Sequence, residues 1–367
     1  MVIRILTALA LITIAGACTS SRFTRFNAND PSINYFGRTV KTNGAGQILI
    51  GSAAYAECLF EGDSCIVYLQ NLAPAPNYSY VVIEVDNMET GRYKIDSSRP
   101  IPVVVKALMG RGRHSLRIFK ATEAQNGQVA FTGIDAAAIY KPQHPARKKI
   151  EFIGNSITSG MGNDITKIPC DSGQWYDQHN AYFAYGPVLA RTLGADFMLS
   201  SVSGIGIYRT WNMEQPGMPS VYESAYFHGD SALRWNFSAY RPDVVSICLG
   251  TNDLSDGDGQ NPRKPFDSVV FVRNYVDFVG TIYKHYPNTQ IALLTSPMIS
   301  GEKDALFYRC LERVKSQVAS LHEGKKPVQL FRFKPMVPKG CSYHPSKEDH
   351  EMMASQLRPF LERLLKD

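Results

Sequence analysis

The 367-residue chain has little that would mark it as a membrane or nucleic-acid protein. After the first twenty residues no stretch reaches the roughly 18 apolar residues a membrane-spanning helix needs, so no such span is expected. Neither charge sign dominates: 39 Lys and Arg stand against 33 Asp and Glu, a formal +6. At this length that excess is no nucleic-acid footprint, and no nucleic-acid partner is expected. Internal repeats and low-complexity tracts are absent. With 44% hydrophobic and 20% charged residues the composition excludes disordered, collagen-like and coiled-coil chains. Cysteines are few, and their number, seven, is odd, so at least one stays outside any intramolecular disulfide. Aromatics at 11% suit a core and a sugar-facing cleft equally.

The N-terminus accounts for one cysteine. Residues 1–17 read MVIRILTALALITIAGA: Arg4, an apolar run over 5–14, then Ala15, Gly16 and Ala17. This is the pattern of a secretory signal peptide. Cys18 follows directly, with Thr19, Ser20 and Ser21 as the start of a tether over 18–33. The arrangement resembles a bacterial lipoprotein signal, although Ala15 stands where Leu is usual. The resemblance implies lipidation at Cys18 and an exported, outer-membrane-associated chain. The membrane would then be met only through that lipid.

The rest divides by periodicity. Over 34–140 short β-rich runs (48–50, 65–69, 80–85, 103–105, 114–119) alternate with turn residues, which predicts an all-β sandwich, jelly-roll-like. KPQHPARKK over 141–149 carries two prolines and four basic residues and reads as a linker. From 150 to 367 strands (150–153, 196–201, 243–249, 290–295, 328–333) alternate with helices (181–193, 265–286, 303–322, 346–366). That rhythm predicts a three-layer α/β/α domain on a parallel sheet. Sites on such sheets lie at the carboxyl ends of strands.

Three strand ends and one late loop carry polar motifs. Gly154-Asn155-Ser156 presents a hydroxyl. Ser203-Gly204-Ile205-Gly206 offers backbone N–H groups. Gly250-Thr251-Asn252-Asp253 supplies a side-chain amide for developing negative charge. His344, in Gly340-Cys341-Ser342-Tyr343-His344-Pro345, is the candidate base, with His350 its main competitor. Each alone is as compatible with an ordinary turn.

Together, in this chain order, they resemble the SGNH (GDSL-like) hydrolases over 148–367. The stretches EFIGNSITSGMGN, SGIGIYRTW, MPSVY, YRPDVVSICLGTND and GCSYHPS are most similar to carbohydrate esterase family 2, a sandwich followed by an SGNH domain, which extends the likeness over 34–367. The resemblance implies a serine esterase removing acetyl groups from xylan- or mannan-type polysaccharides, without metal or organic cofactor. It implies Ser156 as nucleophile and His344 as base. The oxyanion hole would be Ser156, Gly204 and Asn252. Tyr343 and Trp211 are candidate sugar contacts, and Trp175 and Tyr176, in the polar insert 161–180, candidate walls. The sandwich is expected to buttress the site.

Two positions depart from the family pattern. Cys341 and Ser342 stand where an acid usually orients the histidine. A dyad is therefore expected, with His344 Nδ1–H on a main-chain carbonyl near Ser342 or on the Ser342 hydroxyl; Asp349 or Glu348 folding back is the rival. Asn155 replaces an Asp but keeps an acceptor. Cys248, in a buried strand, is expected to be a free thiol, and a Cys310–Cys341 bridge to pin the histidine loop; Cys58 and Cys65 flank a turn and their pairing stays open. Other functions in play are an SGNH lipase, thioesterase or peptidoglycan O-acetylesterase, and a non-catalytic carbohydrate-binding lipoprotein.

Overall fold

In a computed structural model of the chain the described residues are 23–366 without 43, 45, 109, 111, 229–232 and 261. The leader and Cys18 lie outside them. Twelve strands form the first part: β1 (Thr24–Asn27), β2 (Asn34–Phe36), β3 (Thr39–Lys41), β4 (Gln47–Leu49), β5 (Tyr55–Glu61), β6 (Ser64–Asn71), β7 (Ser79–Val85), β8 (Met88–Ile95), β9 (Ile101–Lys106), β10 (Arg113–Lys120), β11 (Val129–Ala136) and β12 (Ile139–Tyr140). One sheet runs β3-β4-β11-β6-β9 with β1 on β11, the other β12-β5-β10-β7-β8 with β2 on β5. All pairs are antiparallel. Strand β1 falls within 18–33: Arg25 and Phe26 take places opposite Asp135 and Ile134, which orders that stretch against the sandwich.

The sequence YVVIEV of β7 lacks alternation because both of its faces are buried. Val81, Ile83 and Val85 fill the sandwich core. Tyr80 and Val82 face outward into a second core shared with Phe197, Leu199 and Tyr182 of the second domain. The sandwich thus packs broadly on its neighbour. Polar contacts cross the seam as well: Arg38 donates to Ser224 O at 2.6 Å, and Arg92 to Asp177 O and His179 O at 2.7 Å each.

The second domain holds a parallel sheet of β13 (Lys149–Gly154), β14 (Asp196–Ser201), β15 (Val244–Cys248), β16 (Gln290–Leu294) and β17 (Gln329–Phe331), in the order β14-β13-β15-β16-β17. Successive residues of β16 point to opposite layers, as the strand period of two requires. Ile291 and Leu293 pack with α4 (Ser268–His285) and α5 (Gly301–Leu321). Ala292 and Leu294 pack with α2 (Tyr185–Leu193) and α6 (Lys347–Lys366). Two single turns, α1 (Ser156–Ser159) and α3 (Met218–Val221), complete the helices. The strand order reverses between β13 and β15, and at such a switch point the loops part to leave a crevice.

Candidate active site

The turn after β13 is built locally. Asn155 caps α1, its Oδ1 accepting from Ile157 N at 3.1 Å. Gly154 admits no side chain, because a Cβ there would run into the Thr158 hydroxyl. Ser156 therefore opens the helix with its N–H in the first turn, where no intrahelical acceptor exists.

Its hydroxyl meets His344: Nε2 lies 2.8 Å from Ser156 Oγ. On the other side of the ring, Nδ1 is 2.7 Å from Ser342 O. A carbonyl only accepts, so Nδ1 carries the proton and Nε2 is left to accept from the serine. Ser342 and Tyr343 both take left-handed backbone, φ +52° and +57°. Two such non-glycine residues in succession are uncommon; they fold the chain back and aim the Ser342 carbonyl at the imidazole. Burial lowers the His344 pKa, only partly opposed by the bond to Ser342.

The rival acids are engaged elsewhere. Asp349 accepts from Lys339 N at 2.8 Å and Ser346 N at 2.9 Å. Glu348 accepts from the Ser346 hydroxyl at 2.8 Å. His350 is fully buried against Tyr185, whose N–H it accepts at 3.2 Å; burial pushes its pKa down to about 3.

The expected Cys310–Cys341 bridge is not formed. Cys310 sits on the core face of α5 as a buried free thiol. Cys341 is bonded instead to Cys170 of the 161–180 insert. Cys341 N also donates to Gly162 O at 2.8 Å, so the insert holds the histidine loop twice. Cys58, Cys65 and Cys248 are buried free thiols.

Gly204 has φ +80°, and a Cβ there would approach Trp211 Cδ1 to 2.9 Å. Its carbonyl accepts from Trp211 N at 2.8 Å, and its N–H has no protein acceptor among the described residues. Asn252 spends one amide hydrogen on Ile205 O at 2.7 Å, which leaves the other for the cleft. Asp253, which motif reading left without a role, accepts from Ile207 N at 2.8 Å and Tyr208 N at 3.0 Å and so shapes the loop bearing Gly204. Burial pushes its carboxyl up to about 6, against the pull of these N–H groups.

Ser156, Gly204, Asn252 and His344 line one cleft of about 680 Å³, together with Trp175, Trp211 and Tyr343. These three rings are 48%, 41% and 86% exposed, too open to serve as core. Tyr176 is not a wall: it is buried edge-on against Tyr78. The fold, with this Ser–His pair at its switch point, is of the SGNH type.

Comparison with known proteins agrees. Residues 152–348 match the GDSL-like lipase/acylhydrolase family, and residues 35–145 match the carbohydrate esterase 2 N-terminal domain. An acetylxylan esterase / glucomannan deacetylase of Cellvibrio japonicus is 31% identical over 258 residues, 69% of this chain and 70% of its own length. A family two carbohydrate esterase from Clostridium thermocellum, solved in complex with cellohexaose, superposes with TM-score 0.78 at 27% identity, covering 91% of this chain and 99% of that one. A family two carbohydrate esterase from Cellvibrio japonicus shares the fold with TM-score 0.80 at 22% identity, over 94% and 98% of the two chains. The chain belongs to carbohydrate esterase family 2 and is a carboxylic ester hydrolase.

Proposed function

We propose that this chain is a serine esterase that removes O-acetyl groups from plant polysaccharides of the xylan or glucomannan type. The observation that carries the reading is the relay from Ser342 O through His344 to Ser156 Oγ, with spacings of 2.7 and 2.8 Å, in a cleft with three exposed aromatic rings. Such rings stack on sugar faces while leaving hydroxyls to water. The relatives named for acetylxylan and glucomannan support the same substrate class.

In this mechanism Ser156 Oγ attacks the acetyl carbonyl carbon while its proton passes to His344 Nε2. The carbonyl electron pair becomes an oxyanion, held by the N–H groups of Ser156 and Gly204 and by Asn252 Nδ2–H. The tetrahedral centre collapses, the sugar oxygen leaves with the proton from His344, and an acetyl-enzyme remains. Water attacks it, giving a proton to His344, which returns it to Ser156 as acetate departs. The Ser342 carbonyl fixes the tautomer throughout and stabilises the imidazolium when it forms.

The organisation that goes with this reading is a leader over 1–17, a tether ahead of β1, a sandwich from β1 to residue 140, a linker over 141–149 and the hydrolase domain over 150–367. Export with a lipid on Cys18 would set the enzyme at the outer membrane beside polymeric substrate. Fatty-acid labelling of the wild type but not of Cys18→Ser is the expected result, and label on both sinks the anchor. For the activity, the test is acetate release from acetylated xylan and acetylated glucomannan, with Ser156→Ala as the blank. Release no greater than the blank overturns the proposal.

A further inference from the structure

Glu123 comes from the sandwich domain, in the short connection between β10 and β11, and is fully buried. A buried carboxylate is costly without partners, and its side-chain partners lie mostly across the domain seam. Its Oε2 accepts from Ser203 N at 2.7 Å, and its Oε1 takes the Ser203 hydroxyl. His179 Nδ1 is 3.5 Å from Oε1. From its own domain Gln125 Nε2 donates at 3.3 Å. The buried Lys120 amino group, bonded at 2.7 Å to both Thr122 O and Glu123 O, lies alongside, with burial pulling its pKa down to about 7.

Ser203 immediately precedes Gly204. Their shared peptide is planar, so the orientation of the Gly204 N–H follows from how that plane is held. Glu123 anchors Ser203 at two atoms just outside that plane, its N–H and its hydroxyl, and so holds the Cα frame from which the plane extends. On the far side Trp211 N holds Gly204 O at 2.8 Å. The loop belongs to no sheet ladder, and Gly204 sits at φ +80°, where the backbone has little preference of its own. The seam does not need Glu123 as glue, because Arg38, Arg92 and the Tyr78 and Tyr80 bonds to Asp177 already span it.

We propose that Glu123 is a positioning residue for the oxyanion hole: through Ser203 it aims the Gly204 N–H, so that the sandwich domain completes the active site of the hydrolase domain. This rests on the serine-esterase reading of Ser156, Gly204 and Asn252.

The test uses the full chain, p-nitrophenyl acetate as substrate and phenylboronic acid as inhibitor. Boron bonds the Ser156 oxygen, the serine proton passes to His344, and the tetrahedral adduct mimics the oxyanion state. A mispositioned donor weakens that state, not ground-state binding. Glu123→Ala should lower kcat about 100-fold, near the loss for one oxyanion donor. KM should stay within about twofold, and the boronate Ki should rise by the same factor as kcat falls. Glu123→Gln keeps one acceptor and should lose about tenfold. Tyr80→Phe, which removes a seam hydrogen bond to Asp177, should lower Tm and leave kcat and the boronate Ki unmoved. Glu123→Ala with kcat and Ki within about threefold of wild type overturns the proposal, as does lost kcat without weaker boronate binding. If Glu123→Ala does not fold, Glu123→Gln and Ser203→Ala are held to the same parallel between kcat and Ki. A wild-type chain with no turnover of the acetyl ester overturns the esterase reading and this one together; an active wild type with an indifferent Glu123 overturns this one alone.

Discussion

Ser156 and His344 meet at 2.8 Å, but opposite kinds of structure put them there. The serine turn is held from within: Gly154, the Asn155 cap and one helical turn lie within five residues of the hydroxyl. The histidine loop is held from outside, by a disulfide spanning 171 residues and by Gly162 O, and it contains two left-handed residues that local preference disfavours. The nucleophile is thus placed by short-range geometry and the base by long-range constraint. Damage far from the site in sequence should reach the base and spare the nucleophile.

The largest effect tests the pair itself. Ser156→Ala should lower kcat/KM by at least about 10⁴-fold, with the Tm retained, since no other hydroxyl replaces it. Next comes the tether. Cys170→Ala, or reduction of the Cys170–Cys341 bond, should cost about 2–5 kcal/mol in denaturant unfolding. It should also lower kcat about 10- to 100-fold, because a misplacement of the order of 1 Å is expensive in catalysis. The remaining described cysteines are buried free thiols, so mild reduction reports on this bond. Full activity after reduction would break the comparison.

The pH profile probes the same loop. His344 acts as a base only when neutral, and burial lowers its pKa. The acid limb of kcat/KM should therefore fall below the ordinary histidine value of about 6.5, with activity lost as pH drops through the lowered pKa. A midpoint above 6.5 would point to a carboxylate partner, because an anion beside the ring favours the charged form. Asn155→Ala should cost about 1 kcal/mol of stability through the lost cap, and little activity. The smallest effect is expected at Ser342. Ser342→Ala keeps the carbonyl, so kcat should change by less than about threefold; a large loss would transfer the orienting role to the hydroxyl.

Strands β13 to β16 follow their apolar runs to within a residue or two, because burial on two faces writes itself as a run of Val, Ile and Leu. In the sandwich, seven of the twelve strands escape that signal, and three of these are long. Strand β5 carries Glu57, buried with Arg117 at 2.7 Å and His144 at 3.2 Å as its partners. Strand β8 is a polar edge containing Gly91, and β11 is broken by a register shift at Gly133. Tyr176 and Cys170 were equally illegible. One is buried by Tyr78, almost a hundred residues away in sequence, and the other finds its partner 171 residues on.

What the sequence determined by itself was the order of chemistry along the chain: a hydroxyl, a glycine, an amide and an imidazole, each at the end of a strand or before a helix. Those positions depend on neighbours a few residues away, which periodicity and turn residues encode. What only the tertiary structure decided was how the groups are oriented: the carbonyl behind His344, the cysteine that ties its loop, and the glutamate that reaches across the domain seam to Ser203. Each of these is one contact between distant parts of the chain. A single contact leaves no repeated pattern in sequence, so only folding reveals it.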